Sequence, residues 1–108
     1  MSTFDEFIAA VKSEVPGFAE EQWTEFKDEA VCDGEAFVQA MQADLRTWTK
    51  QLAAGKLTQK DFAWLIKGKK DLAVLNELKR VGLTQAELDR FTRGLASIVV
   101  SAAVKTFV

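Results

Sequence analysis

The sequence contains no histidine and no tyrosine, and only one cysteine and one proline among 108 residues. Without histidine the commonest general base, the commonest metal ligand and every Ser-His or Cys-His nucleophile pair are missing. A carboxylate metal site of the four-helix kind, which needs a Glu-x-x-His pair from each of two helices, is excluded on the same ground. None of the six glycines precedes a Lys-Ser or Lys-Thr pair, so no phosphate-binding loop is present. Glu25, Asp28, Glu29 and Asp33 cluster in sequence, but Asp33-Gly34 lacks the alternating oxygen ligands that a calcium loop requires. The expectation is a chain that is not an enzyme and that holds no cofactor and no metal.

Cys32 has no internal partner, so nothing in the sequence depends on an oxidising compartment. The acid beside it, Asp33, raises rather than lowers a thiol pKa, and Cys32 is expected to be a small buried apolar side chain. The beginning of the chain carries Asp5 and Glu6 where a secretory signal would be basic. The most apolar stretch, Leu95 to Val104, is about half the ~20 residues needed to cross a bilayer. A soluble, cytoplasmic protein without a membrane span is therefore expected.

The scarcity of turn residues also argues against an all-β chain, whose hairpins need them often. What remains is 48% hydrophobic and 28% charged, the composition of an ordinary globular domain. The expectation is all-α: one domain over residues 1–108, a compact bundle of four to five helices at about 4–15, 19–31, 34–54, 59–81 and 85–107.

Thr3 with Glu6 makes a capping box before Phe4, Phe7, Ile8, Val11 and Val15, which recur at helical spacing. Pro16-Gly17 is expected to end that helix. The second helix has Trp23, Phe26 and Ala30 inward. Asp33-Gly34 reads as a cap opening the third, along which Phe37, Met41, Leu45, Trp48 and Leu52 keep steps of four and three. Gly55 supplies a left-handed terminus, with Leu57 closing it. Thr58 and Asp61 then cap a fourth helix carrying Phe62, Leu65, Ile66, Leu72, Leu75 and Leu78, continuous across Gly68 with a bend there as an option. Gly82 ends it, and Thr84 with Glu87 forms the clearest capping box in the sequence. Leu57-Thr58-Gln59 is echoed by Leu83-Thr84-Gln85, as short connections between helices demand.

On the last helix Arg90, Gly94, Ser97, Ser101 and Lys105 make one narrow polar stripe, and nearly everything else is apolar. Such a helix needs cover on most sides. Either it is the central helix of the bundle, or part of it meets another copy of the chain. Because Trp23, Trp48 and Trp64 also compete for interior space, the sequence points to a homo-oligomer, most simply a dimer. The expected interface is Leu95, Ile98, Val99, Val100, Ala103, Val104 and Phe107.

Charge is unevenly divided. Residues 1–45 hold eleven acids against two bases, a net of −9, and residues 46–108 hold twelve bases against five acids, a net of +7. The simplest consequence is that acidic early helices lie against basic later ones, and a second is that two copies pair head to tail. Lys60, Lys67, Lys69, Lys70, Lys79 and Arg80 make an alternative anion-binding face, for nucleic acid or another anionic partner. No nucleic-acid fold signature accompanies them, and a solvated helix face is the simpler reading. The functional expectation is a non-enzymatic protein-interaction module, self-associating through its C-terminal helix, with an unidentified protein partner.

Overall fold

The structure, a computed structural model, describes residues 3–69 and 75–108. The described residues form six α-helices and no strand: α1 (Thr3–Gln22), α2 (Lys27–Ala40), α3 (Gln42–Ala53), α4 (Gln59–Lys69), α5 (Asn76–Arg80) and α6 (Gln85–Phe107). A 3-10 turn, Thr24–Phe26, joins α1 to α2. The expected Leu72 and Lys70 lie outside the described residues. None of the described helices is long and apolar enough to cross a membrane.

The first difference from expectation is at Pro16, which lies inside α1 rather than after it. Proline withholds one N–H and crowds the carbonyl four residues back, at a cost of about 3 kcal/mol. Both Pro16 and Lys12, the residue four back, face solvent, so water can satisfy the orphaned carbonyl. On the other side Val11, Val15 and Ala19 are fully buried at steps of four, and this stripe continues straight past the proline. Burial of Ala19, Phe18 and Trp23 beyond the proline holds the extra turns in place. Phe18 lies 5.7 Å from the Phe91 ring, and Trp23 meets Phe91 edge-on at 5.6 Å.

The second difference is at Asp33-Gly34, which sits within α2 and opens nothing. Gly34 faces α1: a Cβ built there would lie 2.8 Å from Val15 Cγ1 and 3.6 Å from Leu95 Cδ2. The glycine lets α2 approach α1 and α6 closely, and is not a turn residue. The real break comes at Met41, whose φ of −95° and ψ of 0° separate α2 from α3. Its N–H is shared between the carbonyls of Phe37 and Val38, and its side chain is buried.

Two chain reversals match expectation in atomic detail. Gly55, at φ +75°, closes a Schellman motif in which Lys56 N–H donates to the Gln51 carbonyl and Gly55 N–H to that of Leu52. Gly82, at φ +95°, does the same through Leu83 to Leu78 and Gly82 to Lys79. After each glycine a threonine caps the next helix. Thr58 Oγ1 accepts from Asp61 N at 3.0 Å, and Thr84 Oγ1 accepts from Glu87 N while Glu87 Oε1 accepts from Thr84 N.

The expected single helix over 59–81 is not continuous. It passes through Gly68 as helix, but Leu75, at φ −86° and ψ 51°, stands outside helical geometry, and α5 begins only at Asn76. The first turn of α5 is held from a distance. Asp33, only 2% exposed, accepts from Leu78 N–H at 2.7 Å and from Glu77 N–H at 3.2 Å. A carboxylate on α2 thus replaces the local cap that α5 lacks.

The last helix is central. It packs on α1, α3 and α4, burying Leu88, Phe91, Thr92, Leu95, Ala96, Val99, Ala102 and Ala103. The Thr92 hydroxyl is satisfied by the Asp89 carbonyl at 3.0 Å. Where α1 crosses it, Gly94 admits the Phe18 ring, whose Cζ would be 2.5 Å from a Cβ at that position. The total accessible surface, 6113 Å², is close to the ~6000 Å² expected of a compact monomer of this mass.

Candidate interaction surface

Of the expected interface residues, Leu95, Val99 and Ala103 are buried within their own chain. Ile98, Val100 and Phe107 are half-buried against the same core, and Val104 is half-exposed. Phe107 meets Phe7 edge-on at 5.5 Å. Most of the girth of α6 is therefore sheltered by neighbouring helices, and the apolar surface left over lies elsewhere.

That surface centres on Trp64, which is 74% exposed; besides the C-terminal Val108, no other described large apolar side chain is so open. Its expected place in the interior is corrected by helical phase. Phe62 and Ile66 are the fully buried positions of α4, and a residue two steps from either points the opposite way. Beside Trp64, α4 and α6 leave a groove of about 230 Å³ lined by Ala63, Lys67, Ala96, Ser97, Val100 and Ser101. Apart from Lys67 and Val100 these are small side chains, so a ridge from another molecule can approach the backbones closely.

The groove is ringed by positive charge. On α4, Lys60, Trp64 and Lys67 share one exposed face at spacings of four and three. On α6, exposed Arg93 stands four residues before Ser97, and exposed Lys105 four after Ser101. From Arg90 onward α6 carries Arg90, Arg93 and Lys105 and no acid, and α4 carries Asp61 as its sole acid.

The described residues of the expected anion-binding face fall on two helices, α4 and α5. Lys60 and Lys67 flank Trp64 on α4, and Lys69 is the last residue of that helix. Lys79 and Arg80 belong to α5, which packs on α2. There Arg80 pairs with Glu77 and lines a shallow depression of about 220 Å³ with Asp28, Glu29, Cys32 and Glu77. Its surroundings are acidic.

Cys32 is exposed, contrary to the expected burial. The register of α2 turns Ala30, Asp33, Gly34, Phe37 and Val38 inward and leaves the thiol outside. Partial desolvation first, then the carboxylates of Asp33, Glu77 and Glu35, push its pKa up and keep it protonated. Among the described residues no group of three or more acids and thiols is placed to hold a metal ion. Glu25 and Asp28 are exposed, Glu29 is half-buried, and Asp33 is committed to α5.

A second concavity, about 290 Å³, lies at the corner after α1, lined by Gln22, Trp23, Thr24, Glu25, Phe26, Glu87 and Arg90. The Arg90 guanidinium covers the Trp23 ring at 4.8 Å. Trp23 is 4% exposed, and its buried indole N–H has no acceptor. The rim mixes Glu25 and Glu87 with Arg90 and has no single sign. No family model, no curated protein and no solved structure matches this chain.

Proposed function

We propose that this chain is a non-enzymatic protein-interaction module whose working surface is the α4–α6 face. The observation that carries the reading is the exposure of Trp64 beside a groove of small side chains. A tryptophan left in water forgoes a large favourable burial, and buried tryptophans are the commonest anchors of protein interfaces. The expected use of α6 survives in reduced form, through Val100, Ser97 and Ser101. A cytoplasmic setting fits a chain with one free thiol.

The cations around the groove select for acidic partners, because complementary potential steers encounter and fixes orientation. The test is tryptophan emission on titration with a synthetic acidic amphipathic helix, for the parent and for Trp64→Phe. A blue shift in the parent, absent in the variant, is the expected result. If the peptide produces no change in either protein, the assignment of this face fails.

A second reading is favoured by the flanking of Trp64 by Lys60 and Lys67. An exposed aromatic between cations is a platform for stacking a base of single-stranded nucleic acid. Salt-sensitive binding of a labelled single-stranded oligonucleotide, lost in Trp64→Ala, would favour it over the protein partner.

A further inference from the structure

We infer that the occupant of the α4–α6 face is a second copy of this chain, docked through its acidic α1–α2 corner. The inference rests on the proposed use of that face and adds the identity of what covers it. The chain carries both halves of a complementary pair. Lys60 and Lys67 flank Trp64 on α4, Arg93 and Lys105 stand one turn beyond the groove residues Ser97 and Ser101 on α6, and the later part of the chain is net +7. Exposed Glu20, Glu21, Glu25 and Asp28 cluster where α1 turns into α2, in a part that is net −9.

The exposed acids lie on α1, α2 and the turn between them, whereas the basic face lies on α4 and the later turns of α6. Lys27 with Glu20 (3.8 Å) lies in the acidic part, and Arg80 with Glu77 lies in the basic one. The acidic corner also holds the 290 Å³ concavity, with half-buried Phe26 in a wall that is otherwise mostly polar and includes Arg90. Such pairing joins unlike surfaces, so an open pair keeps one free basic face on one copy and one free acidic corner on the other. Association is then head to tail: it propagates with concentration or closes into a ring.

The test uses two full-length double variants, Lys60→Gln/Lys67→Gln and Glu21→Gln/Glu25→Gln, followed by sedimentation velocity. All four sites are exposed, and circular dichroism checks the fold of each variant. The parent is expected to gain mass with concentration and to lose that gain in high salt. Each double variant alone should associate at least tenfold more weakly. Mixed together they should form a 1:1 particle that grows no further, because one supplies an intact acidic corner and the other an intact basic face.

A parent that is monomeric up to about 1 mM, where even a millimolar complex would be substantially formed, overturns the inference. If the acidic peptide still shifts Trp64 emission in that case, only the identity of the occupant has failed; if the peptide is also silent, the function proposed for the face has failed with it. A mixture of variants no heavier than its components overturns the pairing of these two surfaces, even where the parent associates.

Discussion

Removing the Asp33 carboxylate should unseat a helix 44 residues away in sequence. In Asp33→Ala two N–H groups at the start of α5, those of Glu77 and Leu78, lose their acceptor. Hydrogen bonds to a charged acceptor contribute about 1.5–3 kcal/mol each, and a buried donor left unpaired costs about 1–3 kcal/mol. The desolvation of the carboxylate itself, which outweighs its hydrogen bonds and raises its pKa, offsets part of this. The net expected loss is about 2–4 kcal/mol, a large share of the ~5–15 kcal/mol that holds a domain together. With a urea slope of about 2 kcal/mol per molar, the middle of the usual range for small proteins, the unfolding midpoint should fall by about one to two molar, followed by far-ultraviolet circular dichroism. Amide exchange at Leu78 should accelerate more than at core positions of α6. A loss below about 0.5 kcal/mol, the range of neutral surface changes, would refute the claim that α5 is capped from α2. The pH dependence has a definite sign. A carboxyl whose folded pKa is raised gives stability that is complete below its unfolded value near 3.9 and lost as pH rises through the folded value. The parent should therefore gain on Asp33→Asn as pH is lowered from neutral into that interval, and the opposite trend would show that hydrogen bonding outweighs burial at this site.

Two glycines in helices should respond in opposite directions. Gly94→Ala drives a methyl against Phe18, costing about 1–3 kcal/mol of overpacking against about 1 kcal/mol of helix propensity gained, whereas Gly68→Ala meets nothing within 4 Å and should stabilise; thermal unfolding of both variants compares them directly. Thr84→Ala should cost about 1 kcal/mol through the lost cap of α6, read by chemical denaturation. The hydrogen bonds from the Thr84 backbone and hydroxyl hold the Glu87 carboxyl below its ordinary range. The stability this gives is present above the unfolded pKa and lost as pH falls through the lowered value, so Glu87→Gln should flatten an acid titration of stability in that interval.

The parts of the fold legible in the sequence are those whose chemistry is complete within a few residues. Gly82, Thr84 and Glu87 satisfy one another's requirements locally, so the start of α6 at Gln85 and its span to Phe107 follow from spacing alone. Gly55 and Thr58 are legible for the same reason. The misread positions are those where a local signal serves a distant contact. Asp33-Gly34 resembles a helix start, yet the carboxylate belongs to α5 and the missing Cβ to Val15. Pro16 resembles a terminus, yet the stripe Val11, Val15 and Ala19 runs past it because proline harms only the solvated side. Cys32 has the character of a core residue but falls at an outward phase of α2. Trp64 was legible in principle, since it stands half a turn from the Phe62 and Ile66 face. Counting tryptophans as interior by type, without that phase, hid the most exposed large apolar side chain among the described residues.

The placement of α6 at the centre has a consequence for assembly of the chain during translation. Its earliest described helix, α1, rests Phe7 on Phe107 and Phe18 on Phe91, so those rings lack part of their cover until α6 has left the ribosome. A nascent chain halted before residue 85 would display the part of α1 that α6 shelters, a form prone to aggregation or chaperone capture.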